Sequence, residues 1–107
     1  MSVIDRDKVD GIALTEDKTI RLLIADHLGW EKEYEHLLVL QKKINSYLAF
    51  CESGQYKEIY PGCEVKNAIF EIHFLHEPTQ NAYKFLGQLP AKAGELTVAV
   101  ECAVSEN

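Results

Sequence analysis

The sequence predicts an α+β fold: a ββαβαβ chain forming a four-stranded, mostly antiparallel sheet with two helices packed on one face. Three observations carry this. Four stretches alternate apolar and polar residues, the period of a half-buried strand. Two stretches repeat apolar residues at i, i+3 or i+4, the period of an amphipathic helix. The strands have one greasy and one mixed face, which suits an antiparallel sheet covered on one side only.

The elements follow in order. In "VDGIALTE", from Val9 to Glu16, Asp10, Ile12 and Leu14 share one face. In "TIRLLIAD", from Thr19 to Asp26, Ile20, Leu22 and Ile24 do the same. The short "EDK" between them makes a β-hairpin. From Trp30 the period becomes helical. Trp30, Tyr34, Leu37, Gln41, Ile44 and Leu48 fall within about 40° of one line on a helical wheel, and that line is expected to face the sheet. Gly54 is placed to end the helix as a left-handed cap. Gln55 to Glu64 has no clean period and reads as a loop anchored by Tyr56 and Tyr60. A strand resumes between Glu64 and His76, with Ala68, Phe70, Ile72 and Phe74 on one face. Pro78 and Thr79 start a shorter helix through Ala82, Phe85, Leu86 and Leu89, and Pro90 and Gly94 stop it. The last strand, from Glu95 to Val104, puts Leu96, Val98, Val100 and Cys102 on one side.

Length and composition bound the function. A chain of 107 residues, 47% hydrophobic, fits a single domain over residues 1–107, with about 1–7 and 105–107 as loose termini. Seventeen acidic against eleven basic residues leave a net charge of −6, which disfavours binding to a nucleic-acid backbone. No apolar run approaches the ~20 residues that span a bilayer, so no membrane partner is expected. The charged start "MSVIDRDKVDG" is unlike a secretory signal. Cys51, Cys63 and Cys102 form no C-x-x-C pair and suit a reducing compartment. The expected location is the cytoplasm.

Residue type and spacing offer few candidate sites. "DHLGWEKEYEH" gathers His27, His36 and three glutamates around Trp30. Glu31 and Glu35 are four apart and meet on a helix, so they offer a hard-cation or acid–base site. No fourth ligand is evident, and His27 and His36 are nine apart rather than the four of a zinc helix. A solvated, acidic helix start is the favoured reading. His73 and His76 sit on opposite faces of a strand and cannot chelate one ion. No nucleotide-binding glycine motif and no nucleophile elbow occurs. No catalytic, metal or cofactor residue is therefore assigned.

Two features point instead to contact surfaces. If all four strands share one sheet, its second face carries Arg21, Leu23, Glu71, His73, Thr97, Ala99 and Glu101, uncovered by anything in the chain. Val39 and Phe50 lie about 180–200° from the expected buried line of the long helix. The loop, the second helix or a partner must cover them. Tyr56 and Tyr60 either pin the loop or serve a partner.

The strings "SVIDRDKVDGIAL", "DHLGWEKEYEHLLVLQKKINSYLAFCESGQYKEIYP" and "EIHF" resemble a family of short bacterial proteins catalogued only as a domain of unknown function. The resemblance runs from Ser2 to about Phe74 and weakens after Glu77. The stretch from Leu89 to Gly94 departs from the family's more helical pattern. The resemblance implies a bacterial, cytoplasmic protein with the ββαβαβ order, and it brings no activity or cofactor with it. The expected function is protein–protein interaction, through self-association or as an immunity-type or adaptor partner. The alternative is a small-ligand or metal-dependent enzyme using the acidic helix start or the Glu71/His73 sheet face.

Overall fold

The computed structural model describes residues 9–15 and 17–105. The hairpin forms as its alternation requires: β1 (Gly11–Leu14) pairs antiparallel with β2 (Thr19–Asp26), Ile12 opposite Leu22 and Leu14 opposite Ile20. Lys18 closes the turn with a positive φ of 64°. Thr15 binds the turn back through its amide, 2.8 Å from the Thr19 carbonyl oxygen. Then come α1 (Glu33–Ser53), α2 (Tyr56–Ile59), β3 (Asn67–Phe74), α3 (Gln80–Gly87), β4 (Lys92–Ala93) and β5 (Leu96–Val104). The expected loose ends at 1–7 and 106–107 lie outside the described residues. Ser105 donates its amide to the Phe74 carbonyl oxygen at 2.8 Å.

The α+β class holds, but the sheet has five strands, in the order β1-β2-β3-β5-β4. The expectation of a mostly antiparallel sheet is corrected at its centre. β2, β3 and β5 run parallel, and only the edge pairs β1–β2 and β4–β5 are antiparallel. The reason is the connections. β2 is followed by α1 and β3 by α3, helices that carry the chain back to the starting end, and a parallel pair needs such a crossover. Alternation in a strand reports how many of its faces are covered, not which way its neighbour runs.

The covered face holds the core. Ile20, Leu22 and Ile24 align with Ala68, Phe70 and Ile72, and all six are fully buried. Burying each large aliphatic side chain contributes roughly 1.5–3 kcal/mol. Leu96 and Val98 extend the layer, and Leu86 brings in α3. Thr79 caps α3 as expected, its hydroxyl accepting from the Ala82 amide at 3.2 Å.

The long helix is rotated from its expected setting. Its buried residues are His36, Leu40, Lys43, Ile44, Tyr47, Leu48 and Cys51, while Tyr34 is 74% exposed. The shift is about 80° around the axis. Helix formation also begins at Glu33, so Trp30 belongs to the loop before it. The physical cause is two polar side chains, His36 and Lys43, which go inward because each meets a carboxylate. A line drawn through apolar residues alone leaves both out. Gly54 ends α1 in the left-handed region as expected, with φ 79°.

Two smaller elements replace expected irregular chain. α2 lies inside the expected 55–64 loop, with Tyr56 buried against the core. Pro90 and Gly94 do more than stop α3: they bracket β4. Gly94 has φ 61°, and a Cβ there would stand 3.0 Å from the Glu52 Cα and 3.2 Å from its carbonyl oxygen. Only glycine lets the β4–β5 turn lie this close on the end of α1.

Candidate functional site

The opening cluster is built by the loop between β2 and α1. Asp26 ends β2 on the covered face, and one of its oxygens accepts the Leu28 amide at 3.1 Å, turning the chain. That turn lays Trp30 over His36, ring centroids 3.6 Å apart and 21° from parallel. The Trp30 indole N–H donates to the His76 carbonyl oxygen at 3.3 Å. His36 is then fully engaged. Its Nε2 lies 2.6 and 2.8 Å from the two Asp26 oxygens, and its Nδ1 lies 2.9 Å from the Gly29 carbonyl oxygen. Both ring nitrogens face oxygen atoms at hydrogen-bond distance. Neither nitrogen is left for a substrate or metal.

Outside this dyad lies a cavity of about 450 Å³ lined by Leu28, Gly29, Glu31, Lys32, Glu35, His36 and Val39. The glutamates face water, as the favoured reading of the acidic start expects, while His36 lies behind them in the core. Among the described residues, no three His, Cys, Asp or Glu side chains are placed to hold one ion.

A second buried pair sits about two helical turns further on. The Lys43 ammonium lies 2.9 Å from Asp10 Oδ1, both side chains almost wholly removed from water. The other Asp10 oxygen accepts the Ala25 amide at 3.2 Å. The Tyr47 hydroxyl donates to the Leu23 carbonyl oxygen and accepts the Asp10 amide at 2.8 Å. Burial is the first cause that raises the Tyr47 phenol above its ordinary range. These contacts pin the start of β1, the edge of β2 and the middle of α1 together. Every buried side-chain nitrogen and oxygen among the described residues has a partner.

The opposite face of the sheet is the exposed one. Register places Arg21, Ile69 and Ala99 in one row, Leu23, Glu71 and Glu101 in the next, and Ala25, His73 and Ala103 in the third. Arg21 donates Nε–H to Glu71 and an Nη2–H to Glu101, bridging three strands. The Arg21 guanidinium holds the Glu71 carboxyl below its ordinary value. Hydrogen bonds to Glu71 and then Glu101 raise Arg21 in turn. His73 Nε2 lies 3.5 Å from the second Glu71 oxygen and remains exposed.

The residues singled out from sequence thus fall into two groups. Arg21, Leu23, Glu71 and His73 share the open face, together with Ile69, which the sequence reading did not single out. Val39, Phe50, Tyr56 and Tyr60 stay with the helical layer and pack on its core. Phe50 and Tyr56 meet ring to ring at 6.5 Å, so the segment after α1 folds back over the ridge. What the sequence reading missed was the two buried pairs. Their one trace is a charged or imidazole residue inside an apolar helix face, at positions 36 and 43.

Among the described residues, no helix is long and apolar enough to cross a membrane. No curated protein and no solved structure matches the chain. The sequence profile of one family matches residues 1–106. Its span takes in the hairpin, both buried pairs and the open face. The chain therefore belongs to DUF6572, a family of unknown function.

Proposed function

We propose that this protein is a protein-binding module whose working surface is the open sheet face. The observation that carries this is the bare side of a parallel β2–β3–β5 core. Parallel strands are ordinarily covered on both faces, and here Leu23, Ile69 and Ala99 line a face that no helix of the described residues overlies. The Arg21–Glu71–Glu101 bridge supports the same reading. It holds a cation and two carboxylates at defined positions among apolar residues, the mixture that interfaces use for register and selectivity.

The test is a photo-cross-linking residue placed at Leu23 or Ile69, with a control at Lys42 on the outer side of α1. Open-face probes should trap a discrete protein product in the host cell, and Arg21→Glu should abolish it. Equal products from both surfaces, or none from the open face, would reject the reading. A cytoplasmic setting fits this proposal, because exposed Cys63 and Cys102 stay unpaired most readily in a reducing medium.

A second reading is favoured by one observation, the 450 Å³ cavity beside Glu31 and Glu35. It makes the protein a small-ligand binder at the start of α1. Because both His36 nitrogens are engaged, the dyad would shape the cavity wall rather than transfer protons. Titration with magnesium, manganese or zinc, followed by histidine NMR shifts, tests it. An unchanged His36 and unchanged neighbours remove its metal-dependent form.

A further inference from the structure

We infer that β5 pairs antiparallel with β5 of a second copy, joining two sheets edge to edge about a two-fold axis at Cys102. The inference deepens the protein-binding reading and rests on it only in taking the molecule as one that binds protein.

The edge is open by construction. β4 pairs only with Leu96 and Thr97, so Val98 to Val104 run beyond it. Backbone parity shows which groups point outward. The Thr97 amide donates to the Lys66 carbonyl oxygen and the Ser105 amide to that of Phe74, so odd-numbered amides face β3. The Val98 amide donates away from β3, to the Ala91 carbonyl oxygen at 2.8 Å. Val100, Cys102 and Val104 therefore aim their amide and carbonyl groups off the sheet, where no strand of the described residues meets them. Edges are usually guarded by lysine, proline, a bulge or extreme shortness. "VAVECAV" has none of these and a single charge, Glu101.

The pattern of this edge selects a second copy as the occupant. With the axis at Cys102, Val100 faces Val104 of the second copy, Cys102 faces Cys102 and Val104 faces Val100. All three outward residues then exchange both bonds, the tight pairing of an antiparallel ladder. On the open face, each Glu101 meets an alanine, Ala103, and keeps its Arg21 bridge. Moving the axis to Glu101 sets two glutamates directly opposite, which is destabilising. Moving it to Val100 asks for the Val98 amide, already given to Ala91. Moving it to Ala103 leaves Val100 without a partner among the described residues. One register satisfies both hydrogen bonding and charge, and it is isologous, as two-fold dimers must be. Beside the seam, near Cys102, stands Tyr83 of α3, 43% exposed. The joined edge would carry the open faces of both copies as one continuous surface.

Five residues a side bury less than the ~800 Å² per partner of a standard interface, so the dimer should be weak and concentration-dependent. The experiment is sedimentation equilibrium on the full chain, with Ala103→Glu, Ala103→Lys and Val100→Pro. Ala103 faces Glu101 of the second copy, so Ala103→Glu should weaken the dimer by about tenfold and Ala103→Lys should tighten it. Val100→Pro removes an outward N–H that meets no strand among the described residues, so it should dissociate the dimer while circular dichroism stays unchanged. In a Cys63→Ser background, a short bismaleimide should join two chains through Cys102. A chain that stays monomeric up to about 1 mM, far above the range of a specific pair, would overturn the inference. So would equal behaviour of the Ala103 variants, or a Cys102 adduct only with a different protein. A monomer whose open face still cross-links a partner refutes the edge dimer and leaves the binding reading standing; a dimer with a silent open face does the reverse.

Discussion

The two faces of the sheet use similar polar chemistry under opposite conditions. On the covered side, Asp10–Lys43 and Asp26–His36 are polar pairs almost without solvent. On the open side, Arg21 meets Glu71 and Glu101 with about 30% of its side chain in water. Solvent sets what each arrangement does. A buried pair adds little net stability, but breaking it strands a charge and costs heavily, so it acts as a positional lock. An exposed pair is screened and adds little either way. The covered face is thus committed to holding α1 in one rotation, and the open face keeps its charges in contact with water.

The sharpest way to break that comparison is Lys43→Met. It leaves the Asp10 carboxylate buried beside Tyr47, and a loss of about 3–5 kcal/mol is expected in urea unfolding. Adding Asp10→Asn should return part of it, since the amide oxygen still accepts from Ala25. His36→Phe follows closely. It retains a ring to stack on Trp30 but removes both ring nitrogens, and should cost about 2–4 kcal/mol by leaving Asp26 buried without its partner. Trp30 is the sole tryptophan, so its fluorescence reports the local change directly. If either variant is as stable as the parent, the buried pairs are not locks.

Smaller effects belong to the open face. Arg21→Gln should cost under about 1 kcal/mol at neutral pH. Its signature is in acid. Arg21 holds the folded Glu71 carboxyl below its ordinary 4.5, so the stabilisation is present above that value and is lost as pH falls through the folded one. Arg21→Gln should flatten this part of the acid stability curve and move the Glu71 carboxyl shift in NMR titration back toward 4.5. The smallest perturbation is chemical labelling. Burial pushes the Cys51 thiol up to about 12 and keeps it from reagent, whereas Cys63 is exposed. A maleimide should label Cys63 in the native protein and Cys51 only after unfolding. Rapid native labelling of Cys51 would mean that α1 is not seated as described.

Several features were legible in the residues because local physics decides them. The hairpin from Gly11 to Asp26 follows from alternation around a short turn. Gly54 had to end α1, because the left-handed cap favours a residue without Cβ. Thr79 had to begin α3, because its hydroxyl caps the free amides of a first turn. That Arg21, Glu71 and Glu101 share one face followed from strand period alone. Two-residue β4 was not legible: it has no period, and it exists because Gly94 lets the turn lie against Glu52.

What the amino-acid order alone determined is the kind of each principal element and the split of each long strand into a greasy and a mixed face. Periodicity is a property of neighbours along the chain, and neighbours are what a sequence displays. Tertiary structure alone decided the parallel pairing of β2, β3 and β5, the rotation of α1 and the reach of β5 beyond β4. Each depends on which distant groups meet. Lys43 turns inward only because Asp10 waits there, thirty-three residues away, and His36 because Asp26 does. A charge without its partner reads as surface, and with its partner it becomes part of the core.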